Sequence, residues 1–172
     1  MRKPTLYIMV GLPGCGKSTL AAKLDAVVVS SDAIRGELFD SEAKQYDIPF
    51  AKRWLKNHPE VKEEETAGFY KRICNQCVFQ TVENRILDSL QNGQNTVFDA
   101  TNLNQKNRIH FIRKIKNANI IACYFDVPFK ECWQRNCRRD RKVPYHIMQR
   151  MANNLQKPVK SEGFDDIRTY TK

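Results

Sequence analysis

The amino-acid sequence predicts a doubly wound α/β fold, a parallel sheet with helices on both faces. Two observations carry this. Four short runs, Thr5–Val10, Val27–Ser30, Thr96–Ala100 and Ile120–Asp126, are rich in Val, Ile, Tyr and Phe and almost continuously apolar. Strands covered on both faces of a parallel sheet read this way. Helical segments lie between them: Lys17 to about Leu24, Asp32 to about Phe39, about Thr66 to Gln91, and about Gln105 to Lys116. Strands alternating with helices give a parallel sheet with right-handed crossovers. In the longest helix, Phe69, Ile73, Phe79, Val82, Ile86 and Leu90 recur near the helical period, as one buried face requires.

Size and composition fit one domain, residues 1–172, with 41% hydrophobic residues to fill a core. No run approaches the roughly 20 apolar residues of a membrane helix. Arg2 and Lys3 lead straight into a strand, without the apolar region and cleavage site of a secretory signal. A cytoplasmic protein without membrane partners is expected. Its six cysteines are then expected to be free thiols. Cys74 and Cys77 form a C-x-x-C inside a helical pattern, with no second pair to complete a zinc site. The 29 Lys and Arg outweigh 19 Asp and Glu, a net charge of +10. That field attracts phosphates and suits either a nucleic-acid substrate or a nucleotide enzyme with a basic lid.

In open α/β sheets ligands bind beyond the carboxyl ends of the strands. The segment after the first strand, Gly11-Leu-Pro-Gly-Cys-Gly-Lys-Ser18, fits G-x-x-x-x-G-K-[ST]. Gly11, Gly14 and Gly16 let backbone N–H groups converge on phosphates, with Pro13 and Cys15 between them and Thr19 after them. Lys17 is expected to bridge the β and γ phosphates of ATP, and Ser18 to bind Mg²⁺.

Such a loop serves GTPase switches, motor or AAA-type ATPases and small kinases. The guanine motif N-K-x-D is absent from the sequence, and motor ATPases usually need more chain. A small kinase needs a base for the acceptor hydroxyl and a cationic lid. Asp32, just after the second strand, is the candidate base. It also fits a helix cap. Arg35, one turn later, is placed to hold an acceptor phosphate or steady Asp32. Arg135, Arg138, Arg139, Arg141 and Lys142 crowd a segment ending at Pro144. Arginine forks suit phosphoryl oxygens. A lid over about 128–145, a solvated basic helix and a nucleic-acid patch all fit that crowding. Asp99 ends a strand where a carboxylate would support Mg²⁺. Thr101, Asn102 and Arg108 follow as candidate acceptor contacts, and an Asx turn is the competing account. The irregular stretch 40–65 fits a lid, a substrate-facing insertion or a solvated connection.

The ordered set resembles the kinase domain of bacteriophage polynucleotide 5′-hydroxyl kinase and the AAA-type small P-loop kinases around it. Carrying the resemblance are Gly-Leu-Pro-Gly-Cys-Gly-Lys-Ser-Thr at 11–19, Ser-Asp-x-x-Arg at 31–35 and Asp-x-Thr-Asn-Leu-Asn at 99–104. Phe-Asp-Val-Pro at 125–128, Arg-Asn-x-x-Arg-x-Arg-x-Val-Pro at 135–144 and Glu-Gly-Phe-Asp at 162–165 complete it. The resemblance implies a P-loop kinase fold of four to five strands with an Arg-rich helical lid. It implies Lys17 and Ser18 on ATP and Mg²⁺, Asp32 as general base, and Arg35 on the acceptor's phosphate. Arg139 is then the lid residue on the transferred phosphoryl, supported by Arg135 and Arg141, with the adjacent Arg138 leaving the register open by one. The phosphatase domain that follows the kinase in the phage enzyme is not expected within these 172 residues, and 40–65 does not match in detail.

The expected reaction is transfer of the ATP γ-phosphoryl to the 5′-hydroxyl of a DNA or RNA strand. The alternatives are a kinase of a small hydroxylated metabolite, nucleoside or modified base, and a nucleotide-dependent binding protein or slow ATPase without acceptor.

Overall fold

The computed structural model describes residues 3–39, 47–64 and 66–171. These fall into two compact units, one within 1–29 plus 86–172 and the other within 30–85.

The first unit is built on the sheet. Strands β1 (Thr5–Val10), β2 (Val27–Ser30), β3 (Thr96–Asp99), β4 (Asn119–Phe125) and β5 (Asp166–Tyr170) lie in the order β2-β3-β1-β4-β5. The ladders of β1 with β3, β1 with β4, and β4 with β5 are parallel. Central β1 and β4 are almost wholly buried, which is why their sequences run apolar without alternation. The edge strand β5, Asp-Ile-Arg-Thr-Tyr, is only half-buried and carries no apolar run. After β1 the chain leaves towards β2, and after β4 it leaves the other way towards β5. The segments after β1 and β4 therefore diverge, opening a crevice between neighbouring strands.

Two helices end sooner than their sequences suggest. Helix α1 spans Lys17–Ala21, then tightens into three-residue turns, Lys23 N–H to Leu20 O and Leu24 N–H to Ala21 O. The helix that begins at Gln105 ends at Ile112 in the same way, and Asn117 follows at φ 60.

The second unit holds α2 (Ser31–Leu38), α3 (Ile48–Lys56) and most of α4 (Ala67–Gln91). Residues 40–46 and 65 of the irregular stretch lie outside the described residues. The rest of that stretch contains α3, which sequence reading left as irregular. Asp47 caps it, accepting from Phe50 N–H, and Pro49 sits in its first turn, where a missing N–H costs nothing. In α4, Phe79 proves to be 45% exposed. Cys74, Cys77 and Val78 are buried instead, in line with Tyr70, Ile73 and Val82. The C-x-x-C pair is thus part of the apolar face at helical spacing. Burial pushes the Cys77 thiol up to about 11, and Cys74 Sγ donates to Asp47 O. Among the described residues no His/Cys/Asp/Glu group suits a metal, and no helix is long and apolar enough to cross a membrane.

Helix α5 is Gln105–Ile112, and it carries Arg108 into the interior of the first unit. There Arg108 is 2% exposed and bidentate to Glu162, with Nε and Nη2 each 2.7 Å from a carboxylate oxygen. Its Nη1 donates to the carbonyls of Asn102 (2.8 Å) and Leu103 (3.1 Å). This corrects the expectation that Arg108 contacts the acceptor, because its guanidinium is spent inside the protein. It holds the loop after β3. Removing one partner of a buried pair strands the other charge, at a cost of about 3–5 kcal/mol. Glu162→Gln is expected to lower the unfolding free energy by that order in a urea titration. A loss below about 1 kcal/mol contradicts a structural role for the pair.

Candidate active site

The phosphate loop leaves β1 at Gly11. There a Cβ would lie 2.8 Å from Cys15 Sγ and 3.0 Å from the β-carbon of Phe125, at the end of β4. Gly14, at φ 79, packs against α6 (Phe129–Cys137). A Cβ on Gly14 would stand 2.5 Å from Cys132 O, 3.2 Å from Asn136 N and 3.4 Å from the Arg135 β-carbon. Both the handedness and the space exclude a side chain. The divergent topology thus brings the loop after β1 and the helix after β4 into backbone contact.

Gly16, at φ 106, is the N-cap of α1, and no side chain caps the helix. The first N–H groups of α1, from Lys17, Ser18 and Thr19, therefore have no side-chain cap, and such groups bind phosphate oxygens. Lys17 is buried, and Nζ donates to Leu12 O (2.7 Å), Gly11 O (3.1 Å) and Cys15 Sγ (3.6 Å). Its charge is thereby held inside the loop. Burial pushes the Cys15 thiol up against the pull of Lys17, and the Cys132 thiol up to about 11. Both are neutral thiols filling space around the loop, unsuited to nucleophilic work. Pro13 is buried as well.

Ser18 Oγ donates to Asp99 Oδ2 at 3.1 Å, which links α1 to the end of β3. This hydroxyl–carboxylate pair beside the uncapped helix start supplies the hard oxygen ligands that Mg²⁺ takes. The left-handed glycines and the uncapped start make the cradle that a nucleotide's phosphates need. The residues present fit both groups.

Thr101 and Asn102 bond to the end of β1. Thr101 O accepts from Gly11 N–H (3.1 Å). Asn102, at φ 45, sends Nδ2 to Met9 O at 2.8 Å. Both tie the loop after β3 to the end of β1, and Arg108 clamps that loop from behind. These bonds make the loop after β3 the footing of the phosphate loop.

The arginine segment continues from α6. Arg135 pairs with Glu131 (3.1 Å) one turn back, and Arg138, Arg139 and Arg141 are exposed in the turn before α7 (Tyr145–Asn153). Asn136, buried among them, belongs to the Arg-Asn motif at 135–144, which by itself assigns it no role.

Asp32 and Arg35 belong to the second unit. Ser30, not Asp32, caps α2, its hydroxyl accepting from Ala33 N–H (3.4 Å). Asp32 lies exposed in the first turn and Arg35 half-buried in the last. The capping role that competed for Asp32 is taken by Ser30.

Gly14→Ala is expected to weaken ATP binding by at least about tenfold, because the loop must leave α6 to admit the methyl group. Calorimetric titration checks this, and unchanged affinity contradicts the contact.

The fold recurs in known structures. A chain of the Pnkp1/Rnl/Hen1 RNA repair complex matches with a TM-score of 0.63 at 23% identity, over 91% of this chain and 45% of that one. A fungal RNA kinase gives 0.56 at 14% identity, over 98% and 38%. A sugar kinase from Janibacter sp. HTCC2649 gives 0.62 at 12% identity, over 98% and 85%. The chain spans less than half the length of the first two, and at these identities the likeness is one of fold. Residues 6–158 match the AAA domain family AAA_33. With the phosphate loop, the five-stranded sheet and the matched span together, the chain belongs to that family as a P-loop kinase domain.

Proposed function

We propose that the protein transfers the γ-phosphoryl group of ATP to the 5′-hydroxyl of a polynucleotide strand. The observation that carries this is the packing of Gly14 on α6, which sets the root of the arginine segment against the phosphate loop. A loop that only binds nucleotide has no need of such a neighbour, whereas a transferring phosphoryl group needs cations on its equatorial oxygens. The polynucleotide acceptor is supported by charge. Residues 128–157 carry eight Lys and Arg against two acidic residues, more than half of the whole excess of +10. The motif set at 31–35, 99–104 and 135–144 supports it as well, as does the fold shared with an RNA kinase and a chain of an RNA repair complex.

In this mechanism Lys17 and the N–H groups of Gly14 and of Gly16 to Thr19 hold the β and γ phosphates, the Cys15 N–H being bonded to Leu12 O. Asp32 accepts the proton of the attacking hydroxyl as its oxygen bonds to the γ-phosphorus and the bond to the β–γ bridging oxygen breaks, releasing ADP. Arg35 holds the acceptor's neighbouring phosphate. Arg139, with Arg135 and Arg141, balances charge on the moving group from a lid over about 128–145. Mg²⁺, held by Ser18 and Asp99, would neutralise phosphate charge. Most of the acceleration comes from positioning and fixed charge.

A second reading, a kinase of a small hydroxylated metabolite, draws on the sugar kinase likeness, which spans 85% of that chain.

Asp32→Asn is expected to cut turnover by on the order of 10²–10⁴ while sparing ATP affinity. Wild-type turnover in that variant would remove Asp32 from the role of base. Salt separates the acceptors. A single strand touching about three phosphates is expected to bind with a log–log salt slope near about −2. A flat dependence, with turnover of a neutral sugar, favours the small-molecule reading.

A further inference from the structure

The loop of the arginine segment is fastened by Asn136. Asn136 is fully buried, at 0% exposure, in the last turn of α6. Its Nδ2 donates to Val143 O at 2.8 Å, and its Oδ1 accepts from Val143 N–H at 3.0 Å. Its own carbonyl accepts from Arg139 N–H at 3.2 Å. Its amide nitrogen is one of the α6 atoms that a Cβ on Gly14 would meet. One residue therefore touches the phosphate loop with its backbone and grips both ends of the next loop. Between Asn136 and Val143 lie Cys137, Arg138, Arg139, Asp140, Arg141 and Lys142. Four cations against one carboxylate in six residues repel one another and favour an open chain. A short planar amide offers a donor and an acceptor on separate atoms to a single backbone residue.

We propose that Asn136 is the positioning residue for the lid arginines, setting the distance between them and the phosphate loop. This rests on the phosphoryl-transfer mechanism above, but not on the identity of the acceptor. Phosphoryl transfer depends on fixed charge, and displacing such a charge by about 1 Å costs on the order of 10²-fold. Asn136 touches no substrate and acts through the arginines.

The test is a double-mutant cycle of Asn136→Ala with Arg138→Ala/Arg139→Ala, read as kcat with whichever acceptor the wild-type protein uses, water included. Failure of the polynucleotide acceptor thus leaves the cycle readable. Asn136→Ala is expected to lower kcat by on the order of 10–100-fold with ATP affinity changed less than about threefold. The combined variant is expected to be no slower than Arg138→Ala/Arg139→Ala alone, because Asn136 has nothing left to place. Losses that multiply, or an unchanged kcat, overturn the proposal. Amide hydrogen exchange needs no turnover. Residues 137–143 are expected to exchange at least about tenfold faster in Asn136→Ala while β1 and β4 hold their rates, and unchanged loop exchange overturns the proposal.

Asn136→Asp serves where the alanine variant does not fold. Its carboxylate cannot donate to Val143 O, but the protonated acid can. Its kcat relative to wild type is therefore expected to rise as pH falls from about 8 to about 5.5, with burial raising the carboxyl pKa into that range. A flat ratio overturns the proposal.

Discussion

The functional half of the molecule hangs on an approach between two backbones, Gly14 and α6, too close for a Cβ. The sheet order dictates which segments can meet. Because β1 and β4 are neighbours whose outgoing chains diverge, the segments after them face one crevice. Only a glycine at position 14 lets them close on each other. That contact turns a phosphate loop, which says nothing of the chemistry, into a loop with an arginine-bearing helix fixed beside it.

Beneath the contact lies a set of buried polar tethers. Glu162 holds Arg108, Arg108 holds the carbonyls of Asn102 and Leu103, and Asn102 and Thr101 hold the end of β1. A buried guanidinium is costly to desolvate, and here its hydrogen bonds go to a carboxylate and two carbonyls. Replacing it by apolar groups would take the donor from Asn102 O and leave Leu103 O with the Gln156 N–H alone. The phosphate loop is thereby fixed from below as well as from the side. Fixed dipoles and charges are what phosphoryl transfer draws on, since the protein supplies little covalent chemistry.

The four apolar strands could be read from the sequence to within a residue, and the phosphate loop outright, because apolar runs and G-x-x-x-x-G-K-S are local signals. Strand β2, however, lies at the sheet edge with Val27 and Val28 exposed rather than covered on both faces. What escaped was set by tertiary context. Strand β5 pairs on one side only and is half-buried, which lets it be polar, so no apolar run marks it. Phe79 shares the period of its helix, yet the buried face runs through Cys77 and Val78. Arg108 has the chemistry of a phosphate ligand. Only Glu162, 54 residues on, shows that its charge is already satisfied. Asp32 and Ser30 are both common caps, and the dihedrals chose Ser30. Asn136 stands in the motif at 135–144, but its role comes only from its burial and its two bonds to Val143.

The central claim is that the arginine-flanked loop passes phosphate to a strand terminus. It is tested most directly by offering γ-labelled ATP with 5′-OH DNA, 5′-OH RNA, nucleosides and small sugars in parallel. The account predicts label on the strands, at the 5′ end, in preference to the small alcohols. Label appearing only on a sugar or nucleoside, or only as inorganic phosphate whichever strand is present, would contradict it.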